Sequence, residues 1–471
     1  MNSLLESKKK LNAKTNKLNN HLYHFFYGHL FPVIFAMIIL LFWVANCDVV
    51  SYIIIISTGC FLFIKYRDIT PIVPLVILIP MCFRSTWIFQ SFIGYACFIP
   101  PLIALIVNLI RFPFRKVKFD TLSIAFIVVT IACLISGLFY GLEVNYTATI
   151  SFTLITGIGM FAIHFFVSNR IEVKPSFNLK RYLVIAFLCA VNLACAQLIF
   201  AKVSNLLYPL AKPFETDNFC WANTNHIATL IIMAIPLCFY LMTNAKKLAL
   251  TFVQLFVFCV CLVLADSDAC ILLAILFIPA LIGITYRHMP TYNIKRYKLY
   301  VLLTLFALGA STAISLALGH LQLVITAFIN SFSGETARIN SYIFALECFV
   351  KNPIFGIGAG NVTAMLKNSL SGYVHSTFFQ VLSCAGIVGV LAYAFLYFAR
   401  IKRLFKNNTL FGFYMFVTFV MFASYAMVDN CEFNVIIIFM TMLITVTGNA
   451  NEKDNEQSLP LTYNHKNRVL L

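Results

Sequence analysis

The sequence predicts an all-α fold, a polytopic integral membrane helix bundle of about 12–14 transmembrane helices with one large structured extracytoplasmic loop. Hydrophobic residues make up 61% of the 471 residues and charged residues only 11%, whereas a soluble domain carries roughly 25% charged residues. The apolar runs extend over about 17–25 residues without alternation, which suits helices that cross a hydrocarbon core of roughly 30 Å. A membrane β-barrel needs short alternating segments, so this pattern excludes it.

Fourteen apolar spans follow one another along the chain. They lie near residues 30–46, 49–64, 71–83, 86–110, 121–141, 146–167, 182–200, 226–242, 248–265, 269–285, 299–319, 375–399, 409–428 and 433–448. The third span is short, so the third and fourth are either separate helices or one broken or re-entrant pair.

Lys and Arg residues concentrate on every second segment between these spans. With the N-terminus inside, 28 of the 34 Lys and Arg residues fall on inner segments, and 10 of the 17 acidic residues fall on outer ones. This is the positive-inside pattern, and it predicts that both termini are cytoplasmic. The net charge of +17 therefore reflects topology, and we expect no nucleic-acid partner.

These boundaries predict five segments. They are a basic cytoplasmic tail (1–28), transmembrane helices 1–11 (29–319), an extracytoplasmic loop (320–374), C-terminal transmembrane helices (375–448) and a cytoplasmic tail (449–471). The N-terminal segment has no adjacent small-residue cleavage site, so we do not expect a cleaved signal peptide. The cysteines lie mostly within spans, where they act as small hydrophobes, and their spacing predicts no metal site.

The loop at 320–374 carries a helical pattern and then a glycine-rich turn. Apolar residues recur at helical spacing in the stripe Ile339, Ile343, Leu346 and Val350. The stripe predicts an amphipathic helix that packs on the bundle or lies at the lipid interface. Pro353 ends this helix. The sequence GIGAG that follows contains Gly356, Gly358 and Gly360. It is either an anion-binding nest of N–H groups or a flexible re-entry turn.

About 60 residues of this loop and the next span resemble the signature region of the O-antigen ligase/O-antigen polymerase superfamily. The matching residues are Arg338, Tyr342, Ala345, Leu346, Phe349, Asn352, Pro353, Ile354, Gly356, Ile357, Gly358, Gly360, Asn361, His375, Ser376, Phe378, Gln380, Leu382, Gly386, Ile387 and Gly389. A weaker similarity is the segment from Asn223 through Asn225 to Ala228. One departure is Asp268, which stands where family members often have an arginine, so one expected pyrophosphate contact is replaced by an acid.

The resemblance implies a membrane glycosyltransferase on the extracytoplasmic face of the bacterial cytoplasmic membrane. Such enzymes move a glycan from an undecaprenyl-pyrophosphate carrier to an acceptor glycan or glycolipid. They use no metal, cofactor or nucleotide sugar. A ligase transfers the glycan to a different acceptor, and a polymerase transfers it to the next carrier-linked repeat. The shared motif does not separate the two.

Two residues are the predicted catalytic pair. His375 stands at the outer mouth of a span, where an imidazole that titrates near 6.5 can accept a hydroxyl proton. The guanidinium of Arg338 suits phosphate oxygens. The alternatives are an interfacial histidine that anchors the helix end and a surface arginine in an ion pair. The predicted substrate-binding residues are Arg84, Asn225, Tyr342, Gly356, Gly358, Gly360 and Gln380.

Two other classes of protein fit the many spans. One is a transporter, especially a carrier-lipid flippase, but the halves show no clear internal repeat and the charges cluster at the faces. The other is a non-catalytic membrane scaffold, which would not require Arg338 or His375. Membrane lipid is a partner under every alternative.

Overall fold

The computed structural model describes residues 22–84, 99–114, 117–137, 152–171, 178–207, 218–219, 222–243, 248–317, 335–359, 361–362, 365, 374–406, 409–434 and 436–449. Within these residues the chain is mostly helical, and its strands, β1 (Asn218–Phe219) and β2 (Ala222–Asn223), are two residues long. The all-α prediction is confirmed. The chain forms two compact units, residues 1–116 with 169–221 and residues 117–168 with 222–471.

The helices take the following bounds in chain order. They are α1 (Leu30–Val44), α2 (Asp48–Lys65), α3 (Val73–Leu78), α4 (Ile99–Arg111), α5 (Thr121–Ile135), α6 (Gly159–Arg170), α7 (Leu179–Leu207), α8 (Thr224–Thr243), α9 (Leu248–Leu264), α10 (Asp268–His288), α11 (Thr291–Ala317), α12 (Glu335–Lys351), α13 (Thr377–Leu404), α14 (Leu410–Ala426) and α15 (Ile436–Asn449).

Several helices have the length and composition of membrane spans. Within the described residues, five helices (α2, α7, α8, α10 and α13) are long and apolar enough to cross a membrane, and shorter apolar helices accompany them. The apolar window of α8 is 89% buried and that of α10 only 22% buried, so α8 is a central helix and α10 presents most of its surface outward. The chain is a polytopic membrane protein. The total of 12–14 spans and the five segment boundaries stay predictions.

In the first unit, the third predicted span is a broken helix. A 3₁₀ turn (Thr70–Ile72), α3 and a second 3₁₀ turn (Ile79–Cys82) follow one another. Each of the three pieces carries a proline at its start, and proline interrupts the regular helical hydrogen bonds. The Gln197 amide on α7 donates to the Met81 carbonyl oxygen over 2.8 Å and so satisfies part of this irregular backbone.

In the second unit, α8 packs against α9, α10 and α14, and α13 packs against α5, α12, α14 and α15. Helix α13 is broken at Gly386, where φ is 60° and ψ is −156°. The turn that follows α12 fills the break. The N–H groups of Ile357 and Gly358 donate to two α13 carbonyl oxygens over 3.0 and 2.9 Å. The N–H groups of Ile387 and Val388 donate back to carbonyl oxygens of the turn over 2.9 and 3.2 Å.

A polar cluster ties α5, α6, α13 and α15 together. Asp120 caps the N-terminus of α5, forms an ion pair with Arg403 and contacts the Nε2 atom of His164 at 3.0 Å. The Nδ1 atom of His164 lies 2.7 Å from the Thr445 hydroxyl. Burial alone would raise the pKa of Asp120, but His164 and Arg403 lower it below its usual value. The carboxylate therefore stays charged.

Helix α12 forms as predicted, and the structure decides which face it buries. Ser341, Ala345 and Cys348 are buried, whereas the apolar stripe is exposed, with Ile339 at 50% and Val350 at 75%. Ala345 and Cys348 belong to an apolar cluster that also includes residues of the glycine-rich turn and α13. Helix α12 thus packs on the bundle through small side chains. Its apolar stripe faces outward, as expected for a helix at the lipid interface.

Candidate active site

His375 occupies the residue before the N-cap of α13. The N-cap is Ser376, whose hydroxyl accepts from the Phe379 N–H over 3.4 Å. The Tyr342 hydroxyl on α12 donates to the His375 carbonyl oxygen over 2.8 Å, and the Tyr342 ring stacks on Phe379 at 4.7 Å. The His375 side chain is 35% exposed. The backbone is thus fixed by two helices while the imidazole remains accessible.

The connection between α14 and α15 supplies a carboxylate to this imidazole. Asp429 Oδ1 lies 3.7 Å from His375 Nδ1, and the Asp429 side chain is only 8% exposed. The same carboxylate accepts from the Asn430 N–H over 2.8 Å and from the Tyr425 hydroxyl over 3.2 Å. The arrangement is that of a partly exposed histidine whose Nδ1 side faces a buried acid.

Asp429 is held in its charged form. Burial would raise the pKa of Asp429, but His375, His226 and the Asn430 N–H favour the carboxylate and lower the pKa below its usual value. A buried carboxylate that keeps its charge stabilises a neighbouring imidazolium, which is what a histidine needs when it takes up a proton.

A second histidine lies in the same environment. His226 is in the first turn of α8, where its N–H donates to the Asn223 side-chain oxygen over 2.9 Å. Its Nδ1 atom accepts from the Asn223 N–H over 3.3 Å and lies 2.9 Å from the Asn434 amide nitrogen. The same Asn434 amide nitrogen lies 3.3 Å from the Nε2 atom of His226. Asn225 is one residue away and partly buried, and its carbonyl oxygen accepts from Thr229.

A hydrogen-bond chain joins the start of α10 to this carboxylate. The Ser267 hydroxyl lies 3.4 Å from the Tyr425 hydroxyl, which in turn donates to Asp429. Asp268 is exposed in the first turn of α10. An acid there interacts favourably with the helix dipole.

Two predicted substrate-binding residues have partners within the protein. Gln380 is buried, accepts from the Val374 N–H over 3.2 Å and donates to the Cys384 sulfur over 3.1 Å. Tyr342 uses its hydroxyl on the His375 backbone. Both residues position the segment that carries His375, and a direct contact with substrate stays a prediction.

The glycine-rich segment forms a turn. Gly356 and Gly358 have φ values of +66° and +87°. The Gly356 N–H donates to the Asn352 carbonyl oxygen over 2.9 Å, and the Gly358 N–H donates to α13. These N–H groups are engaged within the protein, and a role of Gly356 and Gly358 in substrate binding stays a prediction. Gly360 lies outside the described residues.

The two predicted phosphate contacts are Arg338 and Arg84. Arg338 lies near the start of α12, one helical turn before Tyr342. Arg84 belongs to the first unit, where its N–H donates to Asp48 over 3.2 Å and its guanidinium lies 5.4 Å from the Trp43 ring centroid. A role in phosphate binding stays a prediction for both arginines.

Sequence reasoning missed Asp429, Tyr425, His226 and Asn434. The available signal was the short outer connection VDNCEFN (residues 428–434), which holds two acids between two apolar spans. Acids at a span end are costly unless they have a role. Within the described part of the chain, no group of three or more His, Cys, Asp or Glu side chains is arranged to hold a metal ion.

Part of the chain matches a known family. Residues 230–394 match the family model described as O-antigen ligase. Over this region the chain is similar to the O-antigen ligase family. No curated protein matches the chain. The matched region begins within α8 and ends within α13, after the break at Gly386. It includes Arg338, Tyr342 and His375. Asp429 and His226 lie outside it.

The family and the apolar helices together indicate a multi-pass bacterial membrane protein. They support an O-antigen ligase-like function in polysaccharide biosynthesis, with a lipid-linked glycan and an acceptor as the general substrates.

Proposed function

We propose that this protein transfers a glycan from an undecaprenyl-pyrophosphate carrier to an acceptor hydroxyl on the outer face of the cytoplasmic membrane. The observation that carries the proposal is the accessible His375 imidazole, which faces the charged Asp429 at 3.7 Å within a region that matches the O-antigen ligase family. The positive-inside distribution of Lys and Arg supports an outer location for this end of α13.

In the proposed reaction, the acceptor hydroxyl oxygen attacks the anomeric carbon of the donor glycan. The new bond joins that oxygen to the anomeric carbon, and the bond from the anomeric carbon to the pyrophosphate oxygen breaks. The electron pair leaves with the carrier pyrophosphate, and the hydroxyl proton passes to His375 Nε2. Asp429 stabilises the imidazolium that results, and the contact of 3.7 Å shortens when the proton arrives.

The departing pyrophosphate needs positive charge and no strong general acid. We assign this charge to Arg338, whose planar guanidinium bonds two phosphate oxygens at once. Neither step requires a metal ion, so the proposed transferase is metal-independent.

The test uses purified protein in liposomes with an undecaprenyl-pyrophosphate-linked repeat unit, first alone and then with a second acceptor. His375→Ala and Arg338→Ala are assayed beside the parent. A ladder of carrier-linked glycans from the donor alone identifies a polymerase, and transfer only to the second acceptor identifies a ligase. Absence of product, with both variants behaving like the parent, would refute the transferase and favour a transporter or carrier-lipid flippase.

A further inference from the structure

The connection between α14 and α15 carries two acidic side chains that both reach α13. Asp429 faces His375 before the start of α13, and Glu432 contacts Arg400 in its second half. The connection is also tied to the start of α13 by the Thr377 hydroxyl, which donates to the Asp429 carbonyl oxygen over 3.4 Å. The proposed mechanism uses only Asp429, and the second acid has no role in it.

The Arg400–Glu432 pair is deeply buried. The Arg400 NH1 atom lies 2.5 Å from Glu432 Oε1, and the two side chains are 1% and 2% exposed. The Tyr397 hydroxyl donates to the other carboxylate oxygen over 3.5 Å. The guanidinium lies 5.5 Å from the Tyr397 ring centroid and 6.0 Å from that of Phe419.

Separating an ion pair that is buried in this way is energetically unfavourable. Removing one partner leaves the other charge buried without compensation, which is far more unfavourable than losing a surface pair. Ionisable groups at membrane depth are expensive and are retained where they serve a purpose. Because Glu432 belongs to the short 3₁₀ turn Cys431–Phe433, fixing its carboxylate fixes the chain two residues after Asn430.

The break in α13 explains how one short connection reaches both places. A straight helix from Thr377 to Arg400 would extend over roughly 35 Å, whereas the chain from Asp429 to Glu432 spans at most about 11 Å. The break at Gly386 redirects the second half of α13, and the long Arg400 side chain covers the remaining distance. The two acids can therefore face the two halves of one helix.

We propose that Arg400 and Glu432 form a positioning pair that holds the α14–α15 connection so that Asp429 stays against His375. Neither residue touches the reacting atoms. The inference rests on the proposed function for the role of His375 and Asp429 in catalysis, but the positioning itself is a property of the fold and has its own measurement.

The first experiment measures the energetic coupling between His375 and Asp429 by thermal unfolding in detergent. The cycle contains the parent, His375→Gln, Asp429→Asn and the double variant, and it is repeated in the Glu432→Gln background. We expect the melting-temperature coupling to fall by at least half in that background. Lys402→Gln, which removes an exposed cation two residues from Arg400, is the matched control and should leave the coupling unchanged.

An unchanged coupling in the Glu432→Gln background would overturn the proposal. If Glu432→Gln does not fold, the Arg400→Lys background, which keeps the charge and loses the forked geometry, takes its place with the same expectation. Melting temperature requires no turnover, so this arm decides the positioning role whether or not the protein is a transferase.

The second experiment follows glycan transfer in liposomes across pH. We expect Glu432→Gln to lower kcat at least tenfold with little change in KM, and to change the pH–rate profile as Asp429→Asn does. The double variant Glu432→Gln/Asp429→Asn should be no slower than Asp429→Asn. If the rate losses of Glu432→Gln and Asp429→Asn multiply in the double variant, and Glu432→Gln leaves the pH–rate profile unchanged, the Arg400–Glu432 pair has only a structural role. Full activity of His375→Ala would instead refute the proposed function and leave the unfolding experiment to decide the pair.

Discussion

At the scale of single residues, the environment of His375 determines what it can do. A histidine alone at a helix mouth is an anchor as readily as a base. Here Asp429 faces its Nδ1 side, the Tyr342 hydroxyl fixes its carbonyl oxygen, and its side chain is one-third exposed. The Asp429 carboxylate keeps its charge because nearby histidines and a backbone N–H outweigh its burial. The combination suits a proton acceptor.

The two members of the pair should differ in their effect on transfer. His375→Ala removes the base, and we expect a loss of roughly 10²–10⁴-fold in kcat. Asp429→Asn keeps the imidazole and removes only the facing charge, so its loss should be smaller. Rates of glycan transfer in liposomes measure both. Asp266→Asn, a change at an exposed acid, is the control and should retain the parent rate; equal rates for parent and His375→Ala would contradict the assignment.

Removal of metal ions is a separate test of the chemistry. The proposed mechanism neutralises the departing pyrophosphate with arginine, so we expect incubation with EDTA followed by gel filtration to leave the rate of transfer within twofold of the untreated protein. A loss that added Mg²⁺ or Mn²⁺ restores would show that a cation takes part, and the role of Arg338 would have to be revised.

At the scale of elements, the glycine-rich turn and the break in α13 form one structure. Each supplies the hydrogen-bonding groups that the other leaves open. The backbones approach so closely that a Cβ atom built on Gly386 would lie 2.5 Å from the Ile354 carbonyl oxygen, and one on Gly356 would lie 2.3 Å from the Cys384 carbonyl carbon. Glycine is required here by contact as well as by positive φ.

Substitution of Gly386 should therefore be strongly destabilising. We expect Gly386→Ala to lower the free energy of unfolding by about 1–3 kcal/mol, because the residue would be held in the left-handed region against a carbonyl oxygen. Gly283→Ala is the matched control, since Gly283 lies within α10 and no heavy atom comes within 4 Å of its built Cβ. It should stabilise by about 0.5–1 kcal/mol. Chemical unfolding in detergent compares the two variants. Equal effects on the free energy of unfolding would show that the close backbone contact at Gly386 does not determine stability.

The polar cluster around Asp120 predicts a dependence of stability on pH. The native pKa of Asp120 lies below its unfolded value, so its contribution is complete above the unfolded pKa of about 4. The contribution is lost as pH falls toward the native pKa. His164, Arg403 and Ser123 are the groups that face it.

We expect Asp120→Asn to lower the melting temperature at neutral pH, and the difference from the parent to shrink below about pH 4. Differential scanning fluorimetry from pH 7 to pH 3 measures this difference. Asp266→Asn at an exposed position is again the control. A gap that widens on acidification would mean that Asp120 is not held as a stabilising carboxylate.

At the scale of the whole molecule, charge placement assigns the two ends of the helices to opposite sides of the membrane. On this topology His375, Asp429, His226 and Ser267 share the outer side, whereas Asp120 and Arg403 lie on the inner side. The structure independently places each set in mutual contact. Arg400, which the same count places on the inner side, pairs with Glu432 of the α14–α15 connection, so the orientation stays a prediction.

Labelling with a membrane-impermeant maleimide tests the orientation on intact cells. In a variant whose native cysteines are replaced, we expect Asp268→Cys at the start of α10 to react and Arg287→Cys near its end to react only after permeabilisation. Both positions are exposed, so accessibility within the protein does not decide the result. The reverse pattern would place the candidate site in the cytoplasm and contradict the proposed reaction.

The sequence by itself determined the fold class, because composition and the length of apolar runs admit few solutions in a membrane. It also identified α12, the turn after it and His375, since these rest on local spacing and a contiguous motif. The partner of His375 was decided by tertiary structure alone. Asp429 lies 54 residues further along the chain, and only the break in α13 and the packing of α14 and α15 bring it there. The glycines likewise proved to fill a helix break, because hydrogen bonds between distant segments leave no trace in local pattern.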